Sequence, residues 1–128
     1  MADKQRSLWG VLFCGSAVIL GAFGAHLLEQ YLSPEALQSY EVGVRYQFFH
    51  GLALLFLSLK QDNAKFLNRV AILFIIGTVL FSGSIFGLAL GSQSTSIILP
   101  KILGPITPMG GSLLIVGWII LFIGFVKS

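Results

Sequence analysis

Residues 8–28 read LWGVLFCGSAVILGAFGAHLL, an unbroken run of 21 residues without a formal charge. At 1.5 Å per residue, a helix over this run is about 30 Å long, the thickness of a bilayer's hydrocarbon core. Lys4 and Arg6 precede it, and Ala22-Phe23-Gly24 would pass as a cleavage site. The run is nevertheless longer than the roughly 7–15-residue apolar core of a secretory signal, so a retained transmembrane helix is expected. Three further segments approach the same length, giving predicted helices over about 8–28, 34–59, 66–90 and 108–126.

Composition supports the same reading. Charged residues make up 10 % of the 128, hydrophobic ones 55 %, and the mean hydropathy is +0.89. Soluble domains carry roughly 25 % charged residues. A soluble fold of this size would lack the polar groups to cover its surface, a problem that a lipid solvent removes. The expected fold class is therefore all-α, an integral membrane four-helix bundle forming a single domain over 1–128. The net charge of +3 does not point to nucleic acid, because the basic residues sit at the ends of apolar segments rather than among aromatics on one face. The single cysteine, Cys14, cannot form an intrachain disulfide and reads as a small packing residue. Phe13 stands where a lipoprotein signal needs a small residue.

The second segment opens with a helix-start signature. Ser33 is a plausible N-cap, Pro34 suits the first helical position, and Glu35 follows in the first turn. Leu37, Tyr40, Val44 and Phe48 then share one face, with Glu35, Gln38, Glu41 and Arg45 on the other. This predicts an amphipathic, interfacial start that continues into the membrane, with Glu41 and Arg45 in favourable i,i+4 order. Residues 60–65, including Asp62, form a polar turn, and residues 91–106 are expected to link the third and fourth helices. With the N-terminus in the cytoplasm, six of the eight basic residues (Lys4, Arg6, Lys60, Lys65, Arg69, Lys127) lie inside, and Arg45 and Lys101 outside. Both termini are thus expected in the cytoplasm.

Helices gain little from burying apolar surface in lipid, so small residues mark the seams. Gly21 and Gly24, Gly83 and Gly87, and Gly117 are the expected packing positions. The pair Gly83–Gly87 is also a candidate contact to another subunit. Intramembrane polar residues mark candidate sites. His26, Arg45, Tyr46, His50, Ser84, Thr107, Gly110 and Gly111 form the candidate cluster, expected in the outer half of the bilayer, with hydroxyls at Thr78 and Ser82 nearby. Thr107 and Pro108 read as the N-cap and first residue of the fourth helix, whose N–H groups could bind an anion. Each histidine reads either as a hydrogen-bond donor to a neighbouring helix or as a haem or metal ligand. Arg45 reads as a snorkelling cation paired with Glu41 or as a phosphate contact. No catalytic triad, HExxH, phosphate loop or carboxylate pair is present. No enzymatic activity, cofactor or metal is therefore expected.

Four stretches carry a family resemblance: Gly21-Ala22-Phe23-Gly24-Ala25-His26, Tyr46-Gln47-Phe48-Phe49-His50, Phe81-Ser82-Gly83-Ser84, and Thr107-Pro108-Met109-Gly110-Gly111 ahead of Gly117-Trp118. The chain resembles, over nearly its whole length, the YgdD-like family of small bacterial membrane proteins, whose eukaryotic relatives are known as transmembrane protein 256. The resemblance implies a four-helix protein of the bacterial inner membrane and brings no reaction or ligand. The expected role is structural or accessory, binding partner membrane proteins or lipids or self-associating through glycine stripes. The alternative is a binder of haem, metal, quinone or lipid in an outer-leaflet pocket lined by His26, Tyr46 and His50.

Overall fold

The computed structural model describes every residue except Asp62, so that part of the polar turn lies outside the described residues. Four helices are each long and apolar enough to cross a bilayer: α1 (Asp3–Leu28), α2 (Pro34–Leu59), α3 (Ala64–Leu90) and α4 (Ile98–Lys127). The protein is an all-α membrane protein, with no strand among the described residues.

Local chemistry sets most helix ends. Ser33 Oγ accepts the Ala36 N–H at 3.1 Å, with Pro34 in the first turn, as the sequence predicts for α2. Asn63 Oδ1 accepts the Lys65 N–H at 2.9 Å, which moves the start of α3 slightly ahead of the apolar run. α1 starts at Asp3, because the polar residues before Leu8 form its first turns rather than a flanking tail. Its C-terminal end is irregular: Leu20–Gly24 is a π-helical turn before the last turn, Ala25–Leu28.

The fourth helix departs most from expectation. It starts at Ile98, about ten residues before the predicted start, so Thr107 is not an N-cap and Pro108 is not a first residue; Pro105 and Pro108 both lie inside the helix. Proline at a helix start is a sound local rule, but in an apolar setting the preceding residues must also satisfy their backbone groups, and they do so by extending the helix. The true start carries its own signal. Ser96 Oγ accepts the Ile98 N–H at 3.3 Å, and Pro100 falls in the first turn. The anion-binding helix start expected at Thr107–Gly111 is therefore not formed.

Packing follows chain order: α1 on α2, α2 on α3, and α3 on α4, with no extended seam between α1 and α4. In the α1–α2 and α3–α4 hairpins the backbones meet at glycine. A Cβ on Gly51 would lie 3.0 Å from the Gly10 carbonyl, and one on Gly77 would lie 3.1 Å from the Gly110 carbonyl. Successive helices alternate in direction, so Lys4, Arg6, Lys60, Lys65, Arg69 and Lys127 share one end of the molecule. The apolar core, including Leu54, Leu57, Leu67, Val70 and Phe74, lies towards that same end. Among the expected packing glycines, Gly21 faces Val44, Gly24 faces Tyr40, Gly87 faces Leu103 and Gly117 faces Phe74, whereas Gly83 is exposed with nothing within 4 Å of its Cβ position.

Candidate functional site

Mid-span on α2, His50 is buried at the junction of three helices. Trp118 of α4 donates its indole N–H to His50 Nε2 at 3.0 Å. An indole nitrogen can only donate, so Nε2 must be the unprotonated nitrogen. Nδ1 therefore carries the proton and donates it to the Tyr46 carbonyl one turn earlier, at 2.7 Å. Both ring nitrogens are engaged, and the imidazole is held neutral in one tautomer. Phe74 of α3 meets His50 edge-on at 5.2 Å and lies 4.8 Å from Trp118. These centroid distances are typical of favourable aromatic pairs.

A second group continues this strip away from the core. Tyr46 packs on Phe81 at 4.7 Å. The Phe81 backbone blocks the Cβ position of Gly110, and its ring lies 3.5 Å from that of Gly111. One turn further, Ser84 Oγ and Thr107 Oγ1 are 2.5 Å apart, and Ser84 also donates to the Phe81 carbonyl at 2.9 Å. Ser84 has one O–H, so Thr107 is the donor of the shorter bond. Tyr46, His50, Ser84, Thr107, Gly110 and Gly111 are thus brought together along the α2–α3–α4 seam. Gly110 and Gly111 serve there as points of close approach.

His26 and Arg45 are not part of this group. Gly24 is level with Tyr40, ten residues before His50, and His26 lies two residues further out on the antiparallel helix, so it is about 18 Å from His50 along the helix axis. His26 is exposed and forms no hydrogen bond among the described residues. The pocket expected between His26, Tyr46 and His50 is not formed, and haem ligation by both histidines would also require breaking the Trp118 bond. Tyr46 and His50 lie close to mid-length of α2 rather than in its outer half. Among the described residues, no three His, Cys, Asp or Glu side chains gather as a metal site. Arg45 is exposed and forms no ion pair with Glu41.

The structure adds residues that sequence reasoning missed. Trp118 carried a signal, since an indole N–H in an apolar helix needs an acceptor. Gln47, an amide at mid-span, carried another: its Nε2 donates to the Phe13 carbonyl at 3.1 Å and to Ser16 Oγ at 2.6 Å, tying α2 to α1. Arg6 reads as a flanking charge but is only 1 % exposed, paired with Asp3 and donating to Asn68 Oδ1 of α3 at 2.5 Å. Nothing local distinguishes it from Lys4.

Four apolar spans, basic residues gathered at one end and a polar seam across α2, α3 and α4 define a small multi-pass α-helical membrane protein. The chain belongs to the family described as "Protein of unknown function (DUF423)", which matches residues 20–111. It is 44 % identical to a UPF0382 membrane protein of Staphylococcus saprophyticus, over 97 % of this chain and 98 % of the relative. It is 41 % identical to one from Haemophilus influenzae, over 100 % and 98 % of the two chains. A relative from Schizosaccharomyces pombe is 39 % identical over 88 % and 90 %. These matches agree with the resemblance drawn from the four sequence stretches. No solved structure matches the chain.

Proposed function

We propose that this is a non-enzymatic accessory protein of the bacterial inner membrane, with both termini in the cytoplasm, that binds phospholipid along its α1–α2 face and meets partner membrane proteins over the exposed side of α1. The observation that carries this reading is a pair of adjoining recesses that share Gly21, Val44 and Arg45. The outer recess, about 330 Å³, adds Glu41 and Ala25. The deeper one, about 320 Å³, is walled by Ala17, Val18, Ala22, Phe48 and Phe49. A charged lip above an apolar trench has the polarity of a phospholipid. Arg45, in no ion pair among the described residues, suits the phosphate, and Glu41 one turn outward suits a headgroup ammonium. That pairing favours a zwitterionic aminophospholipid over a purely anionic lipid.

Orientation rests on the charge asymmetry between the two ends of the bundle. The partner-binding side rests on α1, the least covered of the four helices, whose outward face carries Leu8, Val11, Leu12, Val18 and Ile19. The test is native mass spectrometry of the full chain released from nanodiscs containing phosphatidylethanolamine or phosphatidylglycerol. The expected result is retained phosphatidylethanolamine, reduced several-fold in Arg45→Gln. Equal retention by the two proteins would reject the reading.

A further inference from the structure

A different groove opens sideways between α1 and α3, with α2 as its floor. Its volume is about 350 Å³, within the range of small-ligand sites. Leu12 and Phe13 form one wall and Val79 and Phe86 the other; Gly83 leaves the lip without a side chain. Four polar residues line it: Ser16, Gln47, Thr78 and Ser82.

Most of their hydrogen-bonding capacity is already used. Ser16 Oγ donates to the Leu12 carbonyl at 2.6 Å, and Ser82 Oγ donates to the Gly43 carbonyl at 2.7 Å. The Gln47 amide is oriented by the Phe13 carbonyl, which can only accept, so the NH₂ group faces α1. Two groups remain. Thr78 is 2 % exposed and its Oγ1 has no partner. Gln47 Oε1 accepts no hydrogen bond from any described residue. An unpaired buried hydroxyl has lost its water without gaining a partner, so a ligand that supplies one is favoured there.

Depth identifies the ligand class. Thr78 and Gln47 lie near the middle of α3 and α2, about 18–20 Å from either helix end. A phospholipid places only hydrocarbon at that level. The groove extends along Leu12–Ser16 and Thr78–Phe86, about two turns, which is short for a docked transmembrane helix. The matching molecule is flat and lipid-soluble, with an oxygen acceptor for Thr78, a hydroxyl donor for Gln47, and a ring that fits between Phe13 and Phe86. We propose that this groove binds a membrane quinone in its reduced, quinol form, with one ring oxygen accepting from Thr78, the other hydroxyl donating to Gln47 Oε1, and the tail leaving past Gly83 into the lipid.

The full-length protein in nanodiscs should bind decyl-benzoquinol saturably and more tightly than decyl-benzoquinone, read by equilibrium titration, and an azido-quinol should crosslink within 12–16 or 78–86. Thr78→Val should weaken binding about three- to tenfold, the worth of one neutral hydrogen bond, while Thr78→Ser retains it. Gly83→Leu should abolish binding by filling the groove; circular dichroism melts of Thr78→Ser and Gly83→Leu should match the wild type, and Thr78→Val, which loses an unpaired buried hydroxyl, should melt no lower. Absence of saturable binding, equal binding by Thr78→Val and Gly83→Leu, or crosslinks outside these segments would overturn the proposal. So would a wild-type dimer that ignores the quinol and dissociates in Gly83→Leu, which would assign the groove to a helix of a second copy.

Discussion

Trp118 and His50 are 68 residues apart, yet each explains the other: the indole needs an acceptor, and the imidazole, to stay neutral in an apolar seam, needs a donor at Nε2 and an acceptor at Nδ1. Trp118→Phe should destabilise the protein by about 1–3 kcal/mol, because it leaves a buried acceptor unpaired. Adding His50→Leu should recover part of that loss by removing the orphaned group. Thermal unfolding in mild detergent measures both. Arg6 poses the same question with a charge. Its guanidinium is buried against Asp3 and Asn68, joining α1 to α3, which are not sequence neighbours. Asn68→Leu should cost more than Arg6→Met, since the first leaves a buried cation short of a partner and the second removes the cation. Unfolding midpoints of the two variants under one detergent condition would order them.

The π turn in α1 has a visible cause in Tyr40, which lies against Gly24 and donates its hydroxyl to the Leu20 carbonyl at 2.7 Å. That carbonyl also accepts the Ala25 N–H, the wider bond of a π turn. The Gly-Ala-Phe-Gly stretch thus has a physical account: Gly21 admits Val44, and Gly24 admits the Tyr40 ring. In α3 and α4 the decisive contact is Gly110, whose Cβ position is blocked by the Phe81 backbone and by the Gly77 carbonyl at 2.8 Å. Backbone cannot rotate aside, so Gly110→Ala should destabilise by about 1–3 kcal/mol. Gly15 and Gly83, with nothing within 4 Å, should accept alanine with a gain of about 0.5–1 kcal/mol. A chemical-unfolding series of the three alanine variants distinguishes crowded from open glycines, a distinction that GxxxG spacing does not make.

For the molecule as a whole, the even number of spans places the N- and C-termini at the same end as Lys60, Lys65 and Arg69. Lys60 sits there with its ammonium 4.7 Å from the Phe125 ring, near the last turn of α4. If this end faces the cytoplasm, alkaline phosphatase fused after Lys127 should be inactive, and fused in the 91–97 turn it should be active. The reverse pattern would invert the topology. The open side between α1 and α4 leaves both helices with outward apolar surface, as expected of a protein solvated by lipid and by neighbours in the membrane.

Four spans could be counted from the chain because spanning requires only length and apolarity, which sum locally. The Ser33 start of α2 was likewise legible, because a cap needs only its next few residues. The grouping of Tyr46, His50, Ser84, Thr107, Gly110 and Gly111 was legible in membership, though not in depth or in the roles of its members. The rotation of each helix about its axis was not. In water, an amphipathic stripe turns a helix towards its core; in lipid, the outward face is as apolar as the inward one, and that signal fades. Packing therefore settled that Gly83 faces out while Gly87 faces Leu103, that Arg6 turns inward, and that α4 begins at Ile98 with two prolines inside it. Each depends on shape and hydrogen-bond partners supplied by residues far away in the chain, and only the folded arrangement brings those together.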